Sequence, residues 1–141
     1  MKILIAILLI VHGLITTAQA SGSFRPSGGL ANPAFLSWWP VGLGQSWLWA
    51  GLRMENSLLA RAGGLVWLAA GALLVAAGLS LLEVVIPAGL WRTLALAGAG
   101  LSLLMLALYL HPFYAVGITA SGLLLAALLA RAWPVLERLG I

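Results

Sequence analysis

The sequence predicts an all-α protein: a four-helix transmembrane bundle with a Trp-rich interfacial loop between helices 1 and 2. Three observations predict it. The 141 residues are 63% hydrophobic and only 7% charged, whereas a soluble domain carries about a quarter charged residues. Four apolar stretches, at 3–20, 62–82, 90–110 and 113–130, each approach the ~20 residues a helix needs to cross a bilayer. Lipid offers the backbone no hydrogen-bond partners, so spanning segments must be helices or a closed barrel. The stretches lack the two-residue alternation of barrel strands. The reading is one integral-membrane domain over 1–141, with a loop at 21–59.

Helix 1 admits two readings. Lys2, the apolar core from Ile3 to Ile15 and the small-residue pattern Ala18-Gln19-Ala20 resemble an export signal. A retained membrane helix is the favoured alternative, because a polar, ionisable residue in the middle of the run, His12, has no role in a signal core. His12, Thr16 and Gln19 stand at i, i+4 and i+7 and share one helical face, as suits a helix packed on neighbours. Helix 1 is therefore expected to be retained, and N-terminal sequencing that starts at Ser21 would overturn retention.

The connection that follows opens with Ser21-Gly22-Ser23 and Pro26-Ser27-Gly28-Gly29, which are loop punctuation. It continues with Trp38-Trp39-Pro40 and Trp47-Leu48-Trp49. Tryptophans so close together mark a segment in the headgroup region, where an indole has an apolar body and one wet N–H. Residues 46–52 are expected to form a short interfacial helix or a re-entrant piece. A partner-binding surface is the alternative role for these tryptophans.

Helix 2 runs from near Arg61 to near Glu83, and Pro87 and Gly89 mark a turn. Glu83 is expected to pair with Arg92 across that turn. Helix 3 runs from Trp91 to Tyr109 and is broken at His111-Pro112, because proline lacks the donor a continuing helix needs. Helix 4 begins near Phe113 and stops at Trp133-Pro134, leaving a tail at 135–141. Small residues stud the last three helices: Gly63, Gly64, Ala70, Gly71, Ala77 and Gly78; then Ala95, Gly98, Ala99 and Ser102; then Gly117, Ser121, Gly122 and Ala126. At spacings of three and four they let membrane helices approach closely, so the helices are expected to pack on one another.

The net charge of +4 lies at helix ends and in loops. It reads as orientation and headgroup contact rather than nucleic-acid binding, since no basic run is interleaved with aromatics. Lys2, Arg92, Arg131 and Arg138 are expected on the cytoplasmic side, with Arg25, Arg53 and Arg61 outside. The localisation is a cell membrane, crossed several times, with both termini cytoplasmic and the Trp-rich loop and the His111 turn outside.

Little catalytic chemistry is available. The chain has no cysteine, which excludes disulfides, thiolate metal sites and dithiol redox chemistry. It has no aspartate, hence no Ser/His/Asp set. No carboxylate lies within a helix to couple proton flow, and no Gly-rich phosphate loop appears. No metal or cofactor is expected. An ionisable residue inside the membrane is a functional candidate by default, so His12, with Thr16 and Gln19, is the candidate ligand-contacting set. The alternative role for His12 is a hydrogen bond to another helix, with Gly13 giving room for it. His111 should differ from His12 in depth by roughly 10 Å or more. It belongs instead with Tyr109, Tyr114 and Gln19 in a candidate outer cluster, whose alternative is an aromatic belt beside a turn.

The string Ile10-Val11-His12-Gly13-Leu14-Ile15, within four short apolar helices, resembles small bacterial membrane proteins of the loosely defined DoxX-like kind. The Trp/Pro-rich first loop, with Asn32-Pro33, Leu36-Ser37-Trp38-Trp39-Pro40 and Leu43-Gly44-Gln45-Ser46-Trp47, carries the rest of the resemblance. It implies a four-helix membrane bundle and brings no activity. The cysteines of redox-linked relatives are missing here, so no thiol role transfers. The leading functional expectation is a non-enzymatic scaffold or an accessory subunit of a membrane complex, with other membrane subunits or further copies as partners besides the bilayer. The second is a binder or modifier of a lipophilic molecule, quinone- or isoprenoid-like, on the helix 1 stripe. A transporter ranks third for want of a coupling residue.

Overall fold

The computed structural model describes residues 1–24, 30–54 and 58–130. The Pro26–Gly29 turn, the Trp133-Pro134 stop, the tail and the charges at Arg25, Glu55, Arg131, Glu137 and Arg138 lie outside the described residues. The fold is all-helical: α1 (Lys2–Ser23), the short α2 (Trp47–Gly51), α3 (Leu58–Leu81), α4 (Trp91–Leu108) and α5 (Ala115–Leu129). Single 3₁₀ turns at Ala34–Leu36, Ala88–Leu90 and Pro112–Tyr114 join them. Four segments, Lys2–Ser23, Arg61–Leu81, Ala88–Leu108 and Pro112–Leu129, are long and apolar enough to span a membrane. The protein is a multi-pass membrane protein whose four long helices run alternately up and down. Residues 30–54 and the His111 turn share one end, and Lys2, the 82–90 turn and the end of α5 share the other.

The packing order is α1 on α3, α3 on α4, and α4 on α5. The α1/α3 contact is the most intimate, and glycine makes it so. Gly64, Gly71 and Gly78 recur every seven residues on α3, one face of a helix in close register with a partner. A Cβ on Gly71 would meet Gly13 O at 2.6 Å and Thr17 N at 2.8 Å, and one on Gly78 would meet Ala6 O at 2.7 Å. From the α1 side, a Cβ on Gly13 would meet Gly71 O at 2.7 Å. These are backbone atoms, so the two helices touch main chain to main chain, where dispersion contact supplies the energy that water exclusion cannot supply in lipid. On the other side of α3, Gly98 of α4 seats against Leu74 and Ala70. Ala77, Leu81, Trp91, Ala95 and Ala99 fill the core toward the Lys2 end, and Trp67, Met105, Leu106, Tyr109 and Tyr114 fill it toward the loop end.

The expected Glu83–Arg92 pair is corrected. Glu83 takes Lys2, with Nζ 2.6 Å from Oε1, because antiparallel α1 and α3 bring the start of one beside the end of the other. Lys2 holds the Glu83 carboxyl below its ordinary pKa, through the hydrogen bond first and its charge second.

Proline at 112 explains the form of the loop. It has no N–H to give Leu108 O, four residues back, so α4 ends with unsatisfied carbonyls. Two loop side chains supply them: Ser46 Oγ donates to Leu108 O at 2.7 Å, and Trp47 Nε1 donates to Ala107 O at 2.7 Å. Ser46 is also the N-cap of α2, accepting from Trp49 N. One dipeptide thus starts the interfacial helix and finishes a membrane span. Gly44, at φ +78°, lets the loop reach α1, where it lies against Gly22 with backbone atoms in near contact.

Candidate functional site

Because α1 packs on α3 and α5 on α4, α1 and α5 face each other across an open seam. One side-chain chain of hydrogen bonds bridges it. His12 Nε2 lies 2.8 Å from Ser121 Oγ of α5, which donates to Ser102 Oγ of α4 at 3.2 Å. The His12 tautomer sets which of His12 and Ser121 donates in this bond. Ser121 and Ser102 are fully buried and His12 partly so. The backbone carbonyl of His12 accepts from Thr16 Oγ1 at 2.8 Å, which orients Thr16 on the same face.

Above this bridge, toward the loop, the seam widens into a cavity of about 230 Å³. Its walls include His12, Thr16 and Gln19 from α1, Trp67 from α3, Ser102 and Leu106 from α4, Phe113 and Tyr114 from the turn before α5, and Gly117 of α5. The helical stripe His12, Thr16 and Gln19 therefore lines one cavity. Below the bridge, toward Lys2, a second space of about 370 Å³ runs between Leu8, Leu9 and Val11 of α1 and Ala120, Leu123 and Leu124 of α5, and His12 and Ile15 belong to both.

The outer residues fall into two linked groups. Tyr109 stacks edge-on against Trp67 at 5.9 Å and accepts from Ser23 Oγ at 3.0 Å. Tyr114 lies 6.4 Å from Trp67 and 5.9 Å from the His111 ring, and with Gln19 it lines the cavity. His111 itself turns to the loop. Its Nδ1 accepts from Phe113 N at 3.1 Å, so Nε2 carries the proton and donates to Asn32 Oδ1 at 3.1 Å. Asn32 Nδ2 in turn donates to the carbonyls of Trp39 and Val41. Every polar atom of the His111 ring and the Asn32 amide is matched, and burial holds the His111 pKa below its ordinary value. No bond joins His111 to His12, and no metal-binding group of His, Asp or Glu occurs among the described residues.

Ser102, Ser121 and Trp67 are the site residues that the sequence reading left out of the site. The two serines passed as small packing residues. The signal for Trp67 was its place within the span Arg61–Leu81, apart from the tryptophans of the loop. Its indole N–H is buried and has no hydrogen-bond partner among the described residues.

Fold and site together define a four-span integral membrane protein with a partly polar cavity inside the bilayer zone. No family model, no curated protein and no solved structure matches this chain.

Proposed function

We propose that the protein binds a lipophilic small molecule, quinone- or isoprenoid-like, in the seam between α1 and α5. One observation carries the reading: His12, Thr16 and Gln19, which share one face of a mostly apolar helix, line the same cavity. Few-polar, mostly apolar concave sites are the usual form of small-molecule pockets, and polar groups in a membrane helix are costly to keep without a use. The test is the ligand that travels with the protein. Lipophilic molecules co-purified from native membranes are identified by mass spectrometry for the wild type and for His12→Leu. The expected result is an enriched molecule in the wild type that falls about tenfold in the variant, a loss of about 1.4 kcal/mol in binding. Equal retention would reject the site.

A role as accessory subunit is the second reading, supported by the exposure of α5, where Val116 is 81% and Leu123 66% accessible. Recovery only as a free monomer after gentle extraction would reject it. In either case the proposed orientation keeps both termini on the cytoplasmic side, following Lys2 and Arg92.

A further inference from the structure

The seam has a polarity gradient along its length, and that gradient specifies more than lipophilicity. Toward the loop stand donors and acceptors that carry no charge: the Gln19 amide, the Thr16 and Ser102 hydroxyls and the His12 ring. Toward Lys2 the walls are aliphatic apart from His12. No lysine, arginine, aspartate or glutamate lines either space. An ionised head group would sit here without a counter-ion in a low-dielectric region, at a cost of several kcal/mol. At the inner wall Trp67 has a buried, unpartnered N–H, a group that can only donate. The upper space alone is smaller than the ~300–1,000 Å³ of ordinary ligand sites. The lower space, about 370 Å³, lies within that range and adjoins the upper one at His12 and Ile15.

Building on the binding role above, we infer that the ligand is a single-tailed amphiphile with an uncharged oxygen head, carbonyl or hydroxyl. The head lies in the upper chamber beside Gln19, Ser102 and Trp67, and the tail runs down the lower groove toward Lys2. Molecules with anionic or zwitterionic heads are excluded by the uncharged lining. Because α1 and α5 are bridged by side chains rather than packed backbones, the ligand reaches the site sideways from the bilayer.

Photo-crosslinking of the full chain in phosphatidylcholine nanodiscs tests this. Two farnesol probes are used, one with a diazirine beside the hydroxyl and one with it at the tail end, and adducts are mapped by mass spectrometry. The expected head adducts fall near Gln19, Phe113 and Gly117, and the tail adducts near Leu8 and Leu123. Free farnesol or a short-chain quinone should suppress both about tenfold, while oleate and lysophosphatidylcholine suppress them less than about twofold. Gly117→Leu fills the upper chamber, and its Cβ meets only ordinary contact with Leu106, at 3.7 Å. It should reduce head adducts about tenfold while leaving the melting midpoint in place. Adducts in the seam with the ends reversed, oleate competing as well as farnesol, or head labelling unchanged in Gly117→Leu would overturn the head-and-tail assignment and leave seam binding standing. Seam adducts that no competitor suppresses would overturn both.

Discussion

Gly71→Leu separates α1 from α3. At this position the added carbon meets the Thr17 hydroxyl oxygen, Gly13 O and Thr17 N. Two of those three belong to the backbone of a helix, which cannot rotate away as a side chain does. Overpacking typically costs about 1–3 kcal/mol and occasionally more, and the upper end applies where rigid main chains must part. The consequence reaches beyond the contact, since displacing α1 carries His12, Thr16 and Gln19 away from the cavity. The expected result is a melting midpoint in detergent lowered by several degrees and loss of any bound ligand. The control is Gly100→Leu on α4, where a new Cβ finds nothing within 4 Å, and its melting should match the wild type. Equal behaviour of the two variants would refute the glycine-mediated α1/α3 contact.

His111→Ala is expected to release the Trp-rich loop while leaving the spans in place. The ring is 1% accessible and links the Phe113 N–H to the Asn32 carbonyl oxygen. Removing it strands both, and a buried unsatisfied group costs about 1–3 kcal/mol. Limited proteolysis should then cut within 30–54, where the wild type resists. Acid should act in the same direction. The folded pKa of His111 is lowered from the ordinary 6.5 by desolvation, so the docked form disfavours the proton. The stabilisation is complete above about pH 6.5. It declines as pH falls below that value, because the undocked ring takes up a proton that the docked ring resists. Protonating Nδ1 also abolishes its acceptance from Phe113 N. Asn32, Trp39 and Tyr114, the side chains against the ring, carry no charge to compensate. Protease sensitivity of the wild-type loop should rise on acidification, and the His111→Ala variant should show no such step.

Bilayer thickness makes the four spans legible, because it sets the length of each run and expels charge from its interior. The polar face of α1 was legible for a similar reason: three polar side chains at helical spacing stand out against aliphatic neighbours. The glycines show where such reading stops. Gly71 and Gly100 are alike as letters in apolar helices, yet one touches another backbone and the other faces open space, a difference set only by the partner helix. Ser102 and Ser121 were obscured because a small hydroxyl serves packing and hydrogen bonding equally well. Glu83 was assigned to Arg92 because nearness along the chain favours it, whereas helix direction favours Lys2. Ser46 and Trp47 serve carbonyls at the end of α4 that lie 62 and 60 residues away, a pairing that no local pattern records.

The end of α2 gives a practical handle on orientation. Leu52, just past Gly51, is 56% accessible and has an ordinary negative φ, so it accepts a new side chain without disturbing the Ser46 and Trp47 caps. The chain contains no cysteine, and a thiol introduced by Leu52→Cys is therefore unique without further engineering. Labelling of intact cells by a membrane-impermeant maleimide places that loop outside, and labelling only after permeabilisation reverses the topology.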